Sequence, residues 1–417
     1  MGEIKIEGGK KLSGSVDIQG AKNSVLPILA STIIGKGQSV IHNCPNLSDV
    51  SNTMKIMKHL GCKVGRDGGD MTIWPDSIDK NEIPDSLMRE LRSSIIFLGA
   101  ILTKMGKARI SAPGGCELGA RPIDLHLDAL RHLGVHIEEE HGYLNCYCPD
   151  GLKGTEISLA FPSVGASENI MLAAVCAKGN TVITNVAREP EIEDLQNCLN
   201  KMGAKISGAG SSQIYIEGVD TLTGAEHSVI PDRIAAATFL IAGAITGGDV
   251  TVQKIIPDHQ KSILSLLRDM GCEIYETSDS VRIKTEGRLD SLRSVRTMPY
   301  PGFPTDAQAL LMALTTTANG SSVFIENIFE ARYKHAAELM RMGASIKTEG
   351  RVAIVEGVKR LMGARVEATD LRGGAALILG GLAADGETNV YNVKYIDRGY
   401  EKIEDTLKAL GGIVYRV

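Results

Sequence analysis

Leu60-Gly61-Cys62-Lys63-Val64 is one of six occurrences of a single phrase: an apolar residue, Gly, two further residues, then Ile or Val. The others are Leu133-Gly134 to Ile137, Met202-Gly203 to Ile206, Met270-Gly271 to Ile274, Met342-Gly343 to Ile346 and Leu410-Gly411 to Val414. They return at intervals of roughly 70 residues, longer than solenoid periods of about 20–50 residues, so each unit is a small α/β module in its own right. A second phrase runs out of phase with the first. An apolar helical run ends at a Gly and gives way to an alternating strand, at Gly37, Gly106, Gly179, Gly247, Gly320 and Gly386.

The third unit shows the template. Val164 to Cys176 is apolar and rich in small residues, which predicts a buried helix. Gly179-Asn180 turns the chain into the strand Thr181 to Thr184. Pro190-Glu191-Ile192 opens a second helix through Asn200, with Ile192, Leu195 and Leu199 in helical spacing, and Gly203 ends it in the left-handed conformation that Gly tolerates. Lys205-Ile206 and Gln213 to Glu217 then read as two strands around a turn. The expected unit is helix–strand–helix–strand–strand, and the other five fit it with small insertions. One such unit cannot bury its own faces. Three around an axis place their helices inside and their sheets outside, so six units make two bodies. The join is expected midway, between Thr223 and Asp232, where Gly224, His227 and Pro231 interrupt the pattern. A cleft between two bodies is a common place for a substrate site.

Composition narrows the function. At 417 residues and 43% hydrophobic, the chain is globular, with length for two or three domains. A net charge of −5 argues against a non-specific nucleic-acid binder but leaves room for a local cationic pocket. Met1 to Lys5 has no apolar signal core, Ile6 breaks the myristoylation pattern, and no run approaches the ~18 apolar residues of a membrane span. Eight single Cys without a CxxC pair point to a reduced, cytoplasmic compartment. No Walker loop, no dinucleotide fingerprint (Gly208-Ala209-Gly210 lacks its third Gly) and no His-Glu-x-x-His occurs, and no carboxylate cluster has metal spacing. Neither a cofactor nor a metal is expected.

Three segments and a set of three arginines carry candidate chemistry. In Ala112 to Pro122, three Gly and two Pro surround Cys116, which puts that thiol on a loop; Arg121 nearby could lower its pKa. Gln19 to Ser24 precedes a helix, and either Asn23 or Ser24 caps it or Lys22 is held beside helix-start amides for an anion. Tyr300 to Asp306 is a stiff, Pro-rich lead into the helix Ala307 to Thr317, and Asp306 is either that helix's cap or a positioned general base. Arg332, Arg372 and Arg398 stand at equivalent edges of the last three modules, where a planar guanidinium suits carboxylate or phosphate.

Together with Gly20-Ala21-Lys22-Asn23, Pro113-Gly114-Gly115-Cys116, Arg121 to His126, Ser163 to Ala166, Arg188 to Ile192, Phe303 to Asp306, Asp370 to Arg372 and Ile396 to Tyr400, these segments closely resemble the UDP-N-acetylglucosamine 1-carboxyvinyltransferase branch of the enolpyruvyl transferase family, over essentially the whole chain. The resemblance implies two inside-out α/β barrels, one spanning 22–230 and the other 1–21 with 231–417, with the active site in the cleft between them. It implies transfer of the enolpyruvyl group of phosphoenolpyruvate to the 3-hydroxyl of UDP-N-acetylglucosamine, with small molecules as the only partners and no metal. By the same resemblance Cys116 is the proton donor and Asp306 takes the hydroxyl proton. Lys22, Arg92, Arg121, Arg332, Arg372 and Arg398 bind phosphate and carboxylate. Asn23, Arg92, Arg121, Pro122, Ile123, Asp124, Leu125, Ser163, Val164, Gly165, Asp306 and Ile328 hold the nucleotide sugar. Ser48 and Phe161 stand where part of the family has a basic residue, and Ser167 where Thr is usual. The rivals are a transferase acting on shikimate 3-phosphate, which lacks this Cys loop, and a non-catalytic paralogue that binds the nucleotide sugar.

Overall fold

The two glycine phrases are built as two kinds of left-handed turn. In the computed structural model, which describes residues 2–91, 93–111 and 123–417, the six glycines of the first phrase have φ of 90–107° and those of the second 63–107°. Gly61 shows why. It follows the helix Ser48–Leu60 and donates its N–H back to that helix's last turn, a conformation that a Cβ would strain.

The described residues fall into two compact units, residues 2–19 with Pro231–Val417 and residues 20–230. Each has its own apolar core. In the unit 20–230 the helices Lys22–Thr32, Phe97–Met105 and Val164–Ala174 are buried along most of their length. Arg233–Ile245, Thr305–Thr315 and Leu371–Ala383 play that part in the other unit. The sequence explains the difference from their neighbours. Apart from Gln308, Thr305–Thr315 is apolar or small from Ala307 onward and buries every residue there, whereas the amphipathic Lys261–Asp269 buries only Ile263, Leu264 and Leu267.

Among the described residues six four-stranded sheets share one pattern: a short strand runs parallel to a central strand, which pairs antiparallel with a third, which pairs antiparallel with a fourth. In the sheet of the third phrase these are Glu156–Ser158, Asn180–Thr184, Gln213–Glu217 and Lys205–Ser207. Ile183 faces Ile214 across the ladder and both are buried, while the alternate Tyr215 points to solvent. The short parallel strand is an addition to the expected template. It also closes the unit 20–230, where Glu226–Ser228 pairs with Ser39–His42.

The last module departs from the expectation that all six fit alike. After the helix Ile403–Ala409 it has one strand, Ile413–Arg416, and the chain ends. The place of the missing strand is taken by Ile4–Glu7, which lies between Glu387–Tyr391 and Ile413–Arg416. Ser13–Asp17 then runs parallel to Asp249–Gln253 in the next sheet. The helix expected from Val164 to Cys176 ends at Ala174.

Candidate active site

In the unit 20–230, Lys22 is the first residue of Lys22–Thr32. The residue before it, Ala21, is extended and offers no side-chain cap, so neither Asn23 nor Ser24 is the cap that capping preference suggests. The Lys22 Nζ lies 3.0 Å from Oδ2 of Asp49, whose side chain is 1% exposed against 12% for Lys22. Ser24 turns inward and donates its hydroxyl to Asp194. Asp194 also bonds Nε2 of His227 at 2.8 Å and accepts the Ile230 N–H at 3.2 Å. These buried bonds pin the start of Lys22–Thr32 to the helix Pro190–Lys201 and the strand Glu226–Ser228.

A second helix start in this unit belongs to Val164–Ala174. Ser163 caps it, its Oγ accepting the Ala166 N–H at 3.3 Å, and Val164 and Gly165 form the first turn. A Cβ on Gly165 would stand 3.2 Å from Cε1 of His126, so glycine lets the imidazole pack against this turn. Burial holds His126 down to about 4, which keeps the ring neutral, and Asn169 bonds its Nδ1 at 3.1 Å. His126 lies on Asp124–His132, whose first turn carries Asp124 and Leu125 with Ile123 just before it. His126 thus ties the helix that Asp124 and Leu125 begin to the first turn after Ser163, formed by Val164 and Gly165. Ser167 does the work of a hydroxyl residue here: it donates to the Ser163 carbonyl at 2.8 Å and accepts the Ala187 N–H at 3.1 Å.

In the other unit, Asp306 is the second residue of Thr305–Thr315, and the N-cap position is Pro304 with no side-chain cap. Asp306 is therefore no helix cap. Its carboxylate accepts from two guanidiniums: Arg332 Nη2 at 2.9 Å on Oδ1 and Arg372 Nη2 at 3.3 Å on Oδ2. Both arginine side chains are 3% exposed, Asp306 29%. Arg372 also donates to the Tyr400 hydroxyl at 3.2 Å, and that oxygen meets Thr238 Oγ1 at 2.8 Å. Burial opposes the Arg372 charge, but Tyr400 and Asp306 more than offset it and hold the guanidinium firmly protonated. Arg372 sits in the first turn of Leu371–Ala383, where Asp370 caps the Arg372 and Gly373 N–H groups. Arg398, half-buried, ends the turn Val393–Arg398 two residues before Tyr400. Gln19 braces that segment through the Gly399 carbonyl at 3.1 Å and the Glu401 N–H at 2.9 Å. Ile328, half-buried, donates its N–H to Glu326 at 2.9 Å.

Arg92, Cys116, Arg121 and Pro122 lie outside the described residues. The other seven Cys behave alike. Burial pushes Cys44, Cys62, Cys146 and Cys198 up to about 12 and Cys272 to about 11, and it raises Cys148 and Cys176 as well. None of these seven is a poised thiolate. Among the described residues no group of three His, Cys, Asp or Glu is placed to hold a metal ion, and no helix is long and apolar enough to cross a membrane.

Sequence reasoning missed Asp49, Thr238, Asp194, Glu326 and the part Tyr400 plays. Tyr400 stood inside a quoted motif; the others meet partners across long separations, Glu326 in addition to its neighbours Ile328 and Phe329.

Comparison with known proteins bears on this arrangement. The sequence profile of the family described as EPSP synthase (3-phosphoshikimate 1-carboxyvinyltransferase) matches residues 6–407. A curated relative, UDP-N-acetylglucosamine 1-carboxyvinyltransferase 2 of Caldanaerobacter subterraneus subsp. tengcongensis, is 51% identical over 417 residues and covers 100% of both chains. UDP-N-acetylglucosamine 1-carboxyvinyltransferase 1 of Symbiobacterium thermophilum is 52% identical, covering 99% of this chain and 94% of its own. Among solved structures, the enolpyruvyl transferase NikO from Streptomyces tendae superposes with a TM-score of 0.90 at 25% identity over 100% of this chain and 99% of its own. EPSP synthase from Acinetobacter baumannii gives 0.77 at 19% over all of both chains, a likeness of fold alone.

Proposed function

From the premise that this chain belongs to the EPSP synthase family of carboxyvinyltransferases, we infer that it transfers the enolpyruvyl group of phosphoenolpyruvate to the 3-hydroxyl of UDP-N-acetylglucosamine and releases phosphate. This is the first committed step of peptidoglycan precursor synthesis. The observation that carries the reading is the end-to-end likeness, at about half identity, to relatives named for this reaction. The shikimate 3-phosphate alternative has the description of the family profile and a fold-level likeness at 19% identity behind it, but the full-length relatives at about half identity are named for the nucleotide-sugar reaction. We read each unit as three modules around its central helices, the inside-out barrel of the family.

The chemistry calls for an acid, a base and several cations. The methylene of phosphoenolpyruvate takes a proton, for which Cys116 is the candidate, and C2 becomes cationic. The sugar oxygen attacks C2 and gives its proton to Asp306. The tetrahedral ketal then loses a proton from the new methyl group while the C2–O bond to phosphate breaks, leaving the enol ether. In this reading Lys22, Arg92, Arg121, Arg332, Arg372 and Arg398 hold the phosphate and carboxylate. Ile123 to Leu125 and Ser163 to Gly165, beside Arg121 and Pro122, hold the nucleotide, while Asn23 and Ile328 touch the sugar region.

The Asp306 clamp supports the role of base in a specific way. While Arg332 and Arg372 bond the carboxylate they stabilise its anion and make it a weak base. An arriving anion gives both guanidiniums a competing partner. Asp306 then becomes more basic at the moment both substrates are present, which couples proton abstraction to occupancy. Phosphate release tests the function: it is expected with phosphoenolpyruvate plus UDP-N-acetylglucosamine and not when shikimate 3-phosphate replaces the sugar. Binding of the nucleotide sugar without any release would instead indicate the non-catalytic paralogue.

A further inference from the structure

Glu326 is fully buried, and its carboxylate accepts four hydrogen bonds from neutral donors. Oε1 takes the Thr297 hydroxyl at 2.9 Å, the Ile328 N–H at 2.9 Å and the Phe329 N–H at 3.1 Å, and Oε2 takes the Thr305 hydroxyl at 2.9 Å. Burying a carboxylate is costly, and four donors are what make it tolerable. A hydrophobic side chain could fill the same space, so the identity of this residue asks for a reason.

The four donors supply it. Thr305 immediately precedes Asp306 and is the first residue of its helix. Ile328 and Phe329 begin the short segment that ends at Arg332, the partner of Asp306 Oδ1. Thr297, on the neighbouring chain segment, also accepts the Asn327 N–H at 2.9 Å, so the strand end, the turn and the helix start are bonded into one body. A single carboxylate therefore bonds the chain at both ends of the Asp306–Arg332 contact. It also places a negative group at the start of an 11-residue helix, where the helix field favours it. Arg372 approaches Asp306 from a different helix and takes no bond from Glu326.

We propose that Glu326 is a positioning residue for the reaction: it sets the orientation of the Asp306 carboxylate and the reach of Arg332 without touching substrate. The proposal rests on the assignment of Asp306 as the base. Misplacing a reacting group by ~1 Å costs on the order of 100-fold in rate. The Arg372 contact survives loss of Glu326, so Glu326→Ala should lower kcat roughly 10- to 100-fold, with a smaller loss of nucleotide-sugar affinity through the released Ile328 N–H. Glu326→Gln should restore most of that loss. Its Oε1 can keep three of the bonds, and the Thr305 hydroxyl can turn to accept from its Nε2.

Four proteins decide the matter by steady-state kinetics and nucleotide-sugar titration: Glu326→Ala, Glu326→Gln, Asp306→Asn and the double variant Asp306→Asn with Glu326→Ala. If Glu326 acts through Asp306, the double variant is no slower than Asp306→Asn. Losses that multiply overturn the proposal, and so does a normal kcat for Glu326→Ala beside an inactive Asp306→Asn. An active Asp306→Asn would instead remove the assignment of the base, with which the proposal falls. Should Glu326→Ala fail to fold, Thr305→Val removes one of the four bonds alone. A severalfold lower kcat supports the brace, and an unchanged kcat overturns it.

Discussion

The helices Lys22–Thr32 and Thr305–Thr315 begin alike and carry opposite charges. Each follows an extended residue that offers no cap, Ala21 in one unit and Pro304 in the other, and each is buried over most of its length. At the first, a cation stands at the positive end of the helix field, an unfavourable place, and the buried Asp49 offsets it at 3.0 Å. At the second, an anion stands where the field favours it and still draws two buried guanidiniums. The first arrangement pairs a lysine with a buried carboxylate, whereas the second sets one carboxylate between two buried guanidiniums, one of which also feels Asp232.

The contrast breaks first at Asp306. Asp306→Ala should leave nucleotide-sugar binding nearly intact and remove most turnover, by ~100- to 10,000-fold. If the residue only served its helix, turnover would be near normal and the loss would appear in thermal stability, by ~1 kcal/mol. The next largest effect should come from Asp49→Asn, which takes the counter-charge from Lys22 and favours its neutral amine. The alkaline limb of kcat/KM for phosphoenolpyruvate should move to lower pH, so that activity near that limb falls while acid activity changes little. A loss equal at every pH would mean that Asp49 matters only to the fold.

In one respect the two units are alike. Each buries a histidine that burial holds down to about 4, His126 in one and His335 in the other. The unfolded chain binds protons at these sites below pH 6.5 and the fold resists them until about 4. Stability is therefore complete above pH 6.5 and is lost as pH falls between these values, by up to about 3 kcal/mol for one such group. Melting temperatures of His126→Gln should be flatter than those of the parent across that window. An equal slope would show that His126 is not buried as described.

The smallest expected effect has the opposite sign. Burial, reinforced by Glu191 and Glu189, raises Glu168 well above the usual carboxyl range. A raised acid stabilises the fold at low pH and ceases to as pH rises through and beyond the unfolded value. Glu168→Gln should then raise the melting temperature at pH 8 by about 2–4 °C, with the gain shrinking toward pH 4. A lower melting temperature at pH 8 would contradict that environment.

Much of this fold could be read from the chain because turns are local. The glycines of both phrases mark left-handed turns wherever they occur, and an apolar run such as Ala307 to Thr315 announces a helix buried all round. The missing strand of the last module could not be read from Ile413 to Val417; the resemblance, by joining 1–21 to 231–417, implies that the first strand completes that unit, and the pairing of Ile4–Glu7 shows it. Lys22 and Asp306 stood out by their Gly- and Pro-rich settings, yet their capping alternatives stayed open until Ala21 and Pro304 were seen in the cap positions. Asp49, Thr238 and Glu326 were invisible for a different reason. Asp49 and Thr238 meet Lys22 and Tyr400 across 27 and 162 residues, and Glu326, besides the adjacent Ile328 and Phe329 N–H groups, meets Thr305 and Thr297 across 21 and 29, contacts that only tertiary packing makes.

The most direct test of the account is a proton NMR spectrum of the product formed from phosphoenolpyruvate and UDP-N-acetylglucosamine in heavy water. Addition of a solvent-derived deuteron to the methylene creates a methyl group that rotates before elimination. The recovered enol ether, attached at the sugar 3-oxygen, should therefore carry deuterium in its vinyl positions, with one phosphate released per ether formed. A product without deuterium would contradict protonation of the methylene, and no ether at the 3-oxygen would contradict the assigned reaction itself.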